Sequence, residues 1–313
     1  MNSTLNSQVA VQPGSWDAWL VALRPKTLWI AVVPVFVGTS LAVAETGRVN
    51  PLIALLALAA SILLQILTNL QNDVGYTKRG AETASRIGLP RATARGWLTI
   101  AAVHRALLVV VIATVLVGLP IVLHGGWPVL LMGMTSIIAA WAYMGGPRPI
   151  AYTPFGEFTV FVFFGLIAAV GSYYIQSGAL GPSAWLTGCA IGLIAAAALA
   201  VNNIRDCAHD AEVGRRTLVV VLGKYAAERA YQVALLLPYV LTVALALTDA
   251  RLIGLLAVLL TLPTALGLVR DLPRTPPGLP YNAMLFRTFK LELLFGACFT
   301  IGALVPGLLP GVR

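Results

Sequence analysis

The chain has 313 residues, of which 58% are hydrophobic, and its mean hydropathy is +0.86. Only 21 residues are basic and 12 are acidic, whereas about a quarter of the residues in a typical soluble domain are charged. This composition argues against soluble, disordered and solenoid proteins. The net charge of +9 does not indicate nucleic-acid binding, because the basic residues are spread over several loops and form no single patch.

Long neutral stretches separate the charged residues and predict an all-α membrane protein. Crossing a bilayer core of about 30 Å takes about 20 helical residues. Five neutral stretches have room for one crossing, and the two longest, 106–147 and 158–204, have room for two with a glycine-containing turn between them. We therefore predict about nine transmembrane helices: 28–44, 52–72, 106–123, 128–144, 158–176, 184–204, 232–248, 252–269 and 291–309.

Charge alternates from loop to loop across the predicted membrane. The side that holds the N-terminus has 18 of the 21 basic residues and ten of the 12 acidic residues. Cytoplasmic loops are enriched in Lys and Arg, so we expect the N-terminus and the large loops to be cytoplasmic. We expect residues 1–22 to be a flexible segment without a cleavable signal peptide, and residues 1–313 to form one domain.

A first polar cluster ends the second predicted helix. Gln65, Asn69 and Asp73 are spaced four residues apart, which places them on one face if the helix continues, and Asn72 and Tyr76 lie beside them. The cluster runs from within the membrane to its cytoplasmic edge. Buried amides there need partners, since an unpaired polar group in hydrocarbon costs several kcal/mol. Contacts between helices would also explain the amides.

A second polar cluster ends the sixth predicted helix. Asn202, Asp206 and Asp210 have the same spacing. Two carboxylates one turn apart repel each other unless a hard cation lies between them, and proteins hold Mg²⁺ with one or two carboxylates plus phosphate oxygens and waters. A single cluster of this kind could simply mark the membrane interface. Two of the same form on one side indicate a metal site, and nearby basic side chains could bind an anionic substrate.

The motifs in and around these clusters resemble the UbiA family of membrane prenyltransferases over nearly the whole chain, and they fit its naphthoate branch better than its 4-hydroxybenzoate branch. The matching motifs are Leu23-Arg-Pro-Lys-Thr27, Asn72-Asp73, Arg86-Ile-Gly88, Phe163-Phe164-Gly165, Arg287-Thr288 and the segment from Asn203 to Leu218, which contains Asp206 and Asp210.

The resemblance implies a bundle of nine helices around a central cavity, closed by cytoplasmic loops and open sideways to lipid. It implies two Asp-rich motifs that bind Mg²⁺ and the diphosphate of an isoprenoid donor. An electron-rich aromatic ring would attack the allylic cation. In the naphthoate branch, the acceptor is 1,4-dihydroxy-2-naphthoate, which is prenylated and loses CO₂ to give the hydroquinone form of demethylmenaquinone. The implied partners are therefore a polyprenyl diphosphate, an aromatic acid and membrane lipid.

The resemblance and the spacing together select the candidate site residues. The predicted catalytic residues are Asp73, Asp206 and Asp210. The predicted Mg²⁺ ligands are Asn72, Asp73, Asp206 and Asp210. The predicted substrate-binding residues are Arg24, Lys78, Arg79, Arg86, Arg148 and Arg205, with Arg24 suited to the carboxylate of the acceptor.

The sequence departs from the family pattern at one position. The first motif usually reads Asn-Asp-x-x-Asp, but Tyr76 stands at the second Asp, and Glu82 is at the position of a further downstream acid. A phenol is a poor Mg²⁺ ligand compared with a carboxylate. Three consequences are possible: Glu82 replaces the missing carboxylate, one metal ion binds more weakly, or the aromatic acceptor differs from that of the family branch. Glu157, at the start of the fifth predicted helix, is a further candidate for a functional role. The helix dipole gives a structural explanation, because it favours an acid at the start of any helix.

Several alternatives stay open at this point. The acceptor could be 4-hydroxybenzoate, another naphthoate isomer or a porphyrin, and Tyr76 is compatible with a non-catalytic lipid-binding protein. A secondary transporter for a small anion is the alternative from another class. Transporters carry ionisable groups near the middle of the membrane, whereas the acids here gather at one surface, which favours an enzyme.

Overall fold

The computed structural model describes residues 11–83 and 86–305, and these ranges contain helices and turns without a strand. The short 3₁₀ turns are Pro25–Thr27 and Ile150–Tyr152. The helices are α1 (Trp16–Leu23), α2 (Trp29–Thr46), α3 (Pro51–Lys78), α4 (Ile100–Gly125), α5 (Trp127–Ala142), α6 (Gly156–Ser177), α7 (Pro182–Glu212), α8 (Leu218–Leu222), α9 (Lys224–Ala246), α10 (Ala250–Arg274) and α11 (Pro280–Leu304).

The all-α membrane architecture is confirmed. Within the described ranges, seven helical stretches are long and apolar enough to span a membrane. The helix α5 is apolar but has only 16 residues, and α11 has 25 residues but contains Arg287, Lys290 and Glu292. With these two, each of the nine predicted segments coincides with one helix, although the helix ends differ.

Two helices extend beyond their predicted ends. The helix α3 continues to Lys78 and α7 continues to Glu212, six and eight residues past the predicted ends at 72 and 204. The start of α3 is fixed by Asn50, whose Oδ1 accepts a hydrogen bond of 3.2 Å from the Ile53 N–H, with Pro51 in the first turn. Both polar clusters are therefore helical along their full length.

The helix α7 lies at the centre of the bundle, packed against α6, α9 and α11. Its contact with α6 depends on small residues. A Cβ on Gly165 would lie 2.3 Å from the carbonyl oxygen of Gly188, so only glycine permits this approach. Around that contact, α6 changes from α-helix to π-helix over Phe161–Ala169. π-helical turns are rare and are frequent at functional sites.

The second half of the segment 1–22, which we predicted to be flexible, forms most of the helix α1. The Ser15 Oγ accepts a hydrogen bond from the Ala18 N–H and begins α1. The side chains of Ala18 and Ala22 are fully buried in a cluster that includes Leu70 of α3. Burial of this apolar face holds the helix on the bundle, which the few charges in this segment did not reveal. Residues 1–10 lie outside the described residues.

Candidate active site

A cavity of about 460 Å³ lies between α2, α3, α4, α5, α6 and α7. Its polar end is lined by Arg24, Asn72 and Asn202. Toward the other end, the wall is made of apolar side chains, among them Phe163 and Phe164 of the π-helical turn. The cavity therefore suits a molecule with an anionic head and a long apolar tail.

Asp73 anchors the loop that follows α3. One carboxylate oxygen accepts a hydrogen bond from the Ala92 N–H at 2.8 Å, and the other accepts from the N–H and the hydroxyl of Thr93 at 2.8 and 2.6 Å. The side chain is fully buried. Both oxygens are thus in use, and among the described residues the cavity wall includes Asn72 but not Asp73.

The two aspartates of α7 each face an arginine. The guanidinium of Arg205 donates two hydrogen bonds, of 2.8 and 2.7 Å, to the two oxygens of Asp206. Arg215 Nη1 lies 2.5 Å from Asp210 Oδ1. The second oxygen of Asp210 is buried and has no hydrogen-bond partner among the described residues. Asp210 therefore retains a free acceptor in a buried position, where an unpaired polar atom is costly.

Tyr76 joins the two polar clusters. Its hydroxyl accepts a hydrogen bond of 2.7 Å from Arg215 Nη1, so α3 and α7 are linked through Tyr76, Arg215 and Asp210. Burial alone would lower the pKa of Arg215. The electrostatic attraction of Tyr76 and Asp210 is stronger than this effect, so the pKa of Arg215 is raised. The C-terminal ends of the two polar clusters are thus brought together through one arginine.

The ring of Tyr76 also gathers arginines. The guanidinium carbons of Arg91, Arg86 and Arg215 lie 4.2, 4.9 and 5.5 Å from the ring centroid. Each cation–π contact contributes about 0.5–2 kcal/mol. Two unit charges about 8 Å apart repel by about 2 kcal/mol at an effective dielectric constant of about 20. Glu82 pairs with Arg86 and Asp210 pairs with Arg215, so Arg91 is the guanidinium whose charge the ring alone must offset.

Arg91 is the least compensated of these arginines. Its side chain is buried, and neither Nε nor Nη1 has a hydrogen-bond partner in the described part of the chain. Burial, together with the charge of Arg86, lowers the pKa of Arg91. Arg24 also has a buried Nε without such a partner, and it adopts φ 53°, the one left-handed non-glycine residue among those described. That conformation costs about 1–2 kcal/mol and is typical of functional sites.

The other predicted substrate-binding residues lie at the rim. Lys78 is exposed, with its Nζ 3.3 Å from His104 Nε2. Arg79 is exposed, donates to the Gly146 carbonyl and lies over the Tyr152 ring at 5.2 Å. The structure therefore brings Arg24, Arg86 and Arg205 toward the polar clusters, while Arg148 and these two rim residues are exposed.

Three further residues lie at the site, and the sequence offered two of them, Arg91 and Arg215, only as basic neighbours of the polar clusters that could bind an anion. They are Arg91, Arg215 and Glu157, whose Oε1 accepts a hydrogen bond of 2.8 Å from Asn203. The sequence carried a signal for Arg215, since it lies in the strongest family motif. Arg91 is 15 residues from Tyr76 in a loop, and no helical spacing connects the two.

The donor atoms fit a hard cation in part. Asn72 Oδ1, Glu157 Oε2 and Asp210 Oδ2 are buried oxygens without hydrogen-bond partners in the described ranges, and Mg²⁺ prefers such ligands. The described residues include no group of three His, Cys, Asp or Glu side chains placed to hold a metal. A cation here would depend on one or two protein carboxylates and on oxygens of a bound anion.

Comparison with known proteins places these features in a family. The model of the UbiA prenyltransferase family matches residues 31–289. The 1,4-dihydroxy-2-naphthoate octaprenyltransferase of Escherichia coli K12 is 39% identical, covering 91% of this chain and 94% of that protein. The protein of the same name from Bacillus subtilis 168 is 30% identical, covering 90% of each chain.

Solved structures share the fold. The structure of a UbiA homologue from Archaeoglobus fulgidus bound to DMAPP and Mg²⁺ has a TM-score of 0.66 and 16% identity, covering 92% of this chain and 99% of that chain. The apo structure of a homologue from Aeropyrum pernix K1 has a TM-score of 0.67 and 17% identity, covering 90% and 98%. From its helical bundle, its motifs and these matches, the chain belongs to the UbiA prenyltransferase family.

Proposed function

We propose that this chain transfers a polyprenyl group from an isoprenoid diphosphate to 1,4-dihydroxy-2-naphthoate, with loss of CO₂. The observation that carries the proposal is the cavity, which has a polar end and a mostly apolar wall, in a chain 39% identical to a 1,4-dihydroxy-2-naphthoate octaprenyltransferase. A diphosphate fits the end at Arg24 and Asn72, and an isoprenoid tail fits the apolar wall.

The residues that would hold Mg²⁺ are Asp206, Asp210 and Asn72, with Glu157 as a further acceptor. The aspartates lie one helical turn apart on α7, and Asp210 and Asn72 each have a buried oxygen without a partner in the described ranges. When bound, Mg²⁺ neutralises negative charge on the departing diphosphate. A homologue of the same fold carries Mg²⁺ together with DMAPP, which supports this assignment.

The protein's own side chains would orient the reaction. Arginines near the polar end stabilise the negative charge that develops as the C–O bond of the donor breaks. Phe163 and Phe164 line the adjoining wall, where their π-faces favour an allylic cation and their bulk excludes water. A carbon of the acceptor ring then forms the new C–C bond, and its carboxylate leaves as CO₂.

The orientation in the membrane is part of the proposal. Basic residues gather on the side of the N-terminus and the loops after α3 and α7, and such loops are cytoplasmic in membrane proteins. We place the polar end of the cavity on the cytoplasmic side of a bacterial inner membrane, and we treat residues 1–313 as one functional domain. Lipid surrounds the helices and the tail of the donor.

The test is a transfer assay in membranes. Membranes with the chain are incubated with a labelled prenyl diphosphate and either 1,4-dihydroxy-2-naphthoate or 4-hydroxybenzoate, with Mg²⁺ or EDTA, and the product is identified by mass. We expect a decarboxylated naphthoate product that requires Mg²⁺. Product from 4-hydroxybenzoate alone would overturn the acceptor, and anion uptake into proteoliposomes without any product would favour a transporter.

The metal ligands have a separate test. We expect Asp206→Asn and Asp210→Asn each to lower kcat by about 100-fold or more, because a charge placed for the transition state contributes at least that much. Asp249→Asn is the matched control, since Asp249 pairs with Arg251 near the start of α10 and lies on the opposite side of the bundle. Turnover like that of the unchanged protein in both α7 variants would remove the metal assignment.

A further inference from the structure

The Tyr76 ring has a cationic environment that a metal-binding motif would not need. Three guanidiniums, two from the loop after α3 and one from the segment after α7, lie within 5.5 Å of its centroid, and its hydroxyl accepts a hydrogen bond of 2.7 Å from Arg215. We propose that Tyr76 is a positioning residue that holds Arg86, Arg91 and Arg215 for the diphosphate, so that this chain binds diphosphate without metal. The inference rests on the proposed function, which it deepens.

Arg91 is held in place on two sides. Its loop is fixed to α3, because the next two residues donate their backbone N–H groups to Asp73. Its guanidinium lies 4.2 Å from the Tyr76 centroid. What remains is a buried Nε and Nη1 without a partner in the described ranges. A buried guanidinium whose position is fixed but whose donors are unused lacks an acceptor, and phosphate oxygens supply that acceptor.

The neighbouring arginines have donors to spare as well. Arg86 pairs with Glu82 through Nη1 at 2.7 Å, yet its Nε is buried and without a partner among described residues. The Nε of Arg24 is also buried and without a partner among the described residues, and Arg24 lines the polar end of the cavity. The unused donors therefore belong to several arginines on one side of the site, which matches an anion with several oxygens.

The choice of a phenol over a carboxylate has a physical consequence. A carboxylate at position 76 would form an ion pair with one guanidinium and cancel its charge. A neutral ring attracts the same guanidiniums through its π-face without adding a negative charge, so the charge of Arg91, which has no ion-pair partner among the described residues, stays available to a ligand. Asp210 is then the one ionic partner of Arg215 among the described residues, and Tyr76 keeps the remaining positive charge directed at the anion.

The test measures binding of inorganic diphosphate by calorimetry to the purified full-length chain in nanodiscs, first in EDTA and then with Mg²⁺. We expect binding in EDTA. Tyr76→Phe keeps the ring and stays within about threefold, whereas Tyr76→Leu weakens binding about tenfold, the loss expected for two or three cation–π contacts. Tyr76→Asp weakens binding in EDTA and recovers it with Mg²⁺, because a carboxylate needs the metal between itself and the anion.

Steady-state kinetics add a second readout. Tyr76→Leu is expected to raise KM for the prenyl diphosphate about tenfold with a smaller change in kcat, since ground-state binding of the anion is what the ring supports. The matched control is Tyr225→Leu, because Tyr225 is an exposed tyrosine with Arg229 5.1 Å over its ring, outside the site. We expect no change in diphosphate binding in that control.

The outcomes separate the two proposals. Absence of diphosphate binding in EDTA, in a protein that still prenylates naphthoate, would overturn this inference alone. Binding in EDTA without any prenylated product would overturn the proposed function and leave the diphosphate site in place. If Tyr76→Leu does not fold, the diphosphate affinities of Tyr76→Phe and Tyr76→Asp in EDTA are compared instead. Equal affinities in these two variants would overturn the proposed role of the ring.

Discussion

Asp73 shows that a carboxylate predicted to bind a metal can also have a structural role. Its two oxygens accept three hydrogen bonds from Ala92 and Thr93, across 19 and 20 residues of sequence. This contact fixes the loop that carries Arg91. The sequence indicated a metal ligand at this position, and the structure adds a loop anchor that uses the same oxygens.

A substitution at Asp73 therefore affects stability. We expect Asp73→Asn to lower the free energy of unfolding by about 1.5–3 kcal/mol, the value of hydrogen bonds to a charged group, because the amide supplies one acceptor oxygen in place of two. Thermal unfolding in nanodiscs measures this change. Asp17→Asn, at an exposed position of α1, is the control and should leave the unfolding temperature unchanged.

The loop-anchor role would be contradicted if Asp73→Asn unfolded at an unchanged temperature and its prenyl transfer no longer depended on Mg²⁺. Asp73 would then be a metal ligand only. Limited proteolysis gives an independent measurement, since a released loop after α3 exposes Arg91 and Arg95 to trypsin. We expect faster cleavage there in Asp73→Asn than in Asp17→Asn.

At the residue scale, the sequence located the acids better than the bases. Asp206 and Asp210 follow helical spacing, which a reader of the sequence can detect, and they lie where that spacing places them. Arg91 reaches Tyr76 from a loop, and loops carry no periodicity. The pairing of Arg215 with both Asp210 and the Tyr76 hydroxyl depends on the approach of two helices, which spacing along one helix does not contain.

At the scale of single elements, the predicted ends of α3 and α7 were too early for a physical reason. Hydropathy marks the boundary of the membrane, whereas a helix ends where its backbone must change direction. The helix α7 continues past its last apolar turn and ends at Glu212, just before Gly214, which has φ 75°. Polar residues at the cytoplasmic ends of α3 and α7 are thus held rigidly, which suits a site that must keep its geometry.

The helix α5 offers a test of how the cavity selects its ligand. Gly133 lines the cavity, and a Cβ built there meets no atom within 4 Å. We expect Gly133→Phe to fill that space and to lower kcat/KM for a long prenyl diphosphate at least about tenfold relative to a geranyl donor, since a change in pocket volume of this kind discriminates by about 10–200-fold.

The matched control is Leu131→Phe, because Leu131 lies on the same helix, is 54% exposed and is absent from the cavity wall. Product masses from an equimolar mixture of geranyl and longer donors give the ratio directly. The same ratio in Gly133→Phe and Leu131→Phe would mean that the donor tail follows another path.

At the scale of the whole molecule, the distribution of charge predicts the orientation. We expect a membrane-impermeant maleimide added to intact spheroplasts to label Leu180→Cys, in the turn between α6 and α7, and not Arg95→Cys, in the loop after α3, in a background without Cys189, Cys207 and Cys298. Both positions are exposed, so access from outside decides the result. Labelling of Arg95→Cys alone would invert the orientation.

Nine segments were predictable because the membrane imposes one length and one polarity on every crossing. The segments most difficult to recognise by composition were α5, with 16 residues, and α11, with three charged residues near its middle. The packing order of the helices and the position of the cavity were not predictable from composition, since they depend on close contacts such as that between Gly165 and Gly188.

The wall of the cavity formed by α4 and α5 has a kinetic consequence. Val115, Leu119 and Met134 line the cavity there and are about half exposed, so no further described helix covers this side. A substrate with a long tail would then enter from the lipid phase. The concentration that governs its binding is its mole fraction in the membrane, not its concentration in water. Adding inert lipid at constant total substrate should slow turnover, as it does for any reaction confined to a surface.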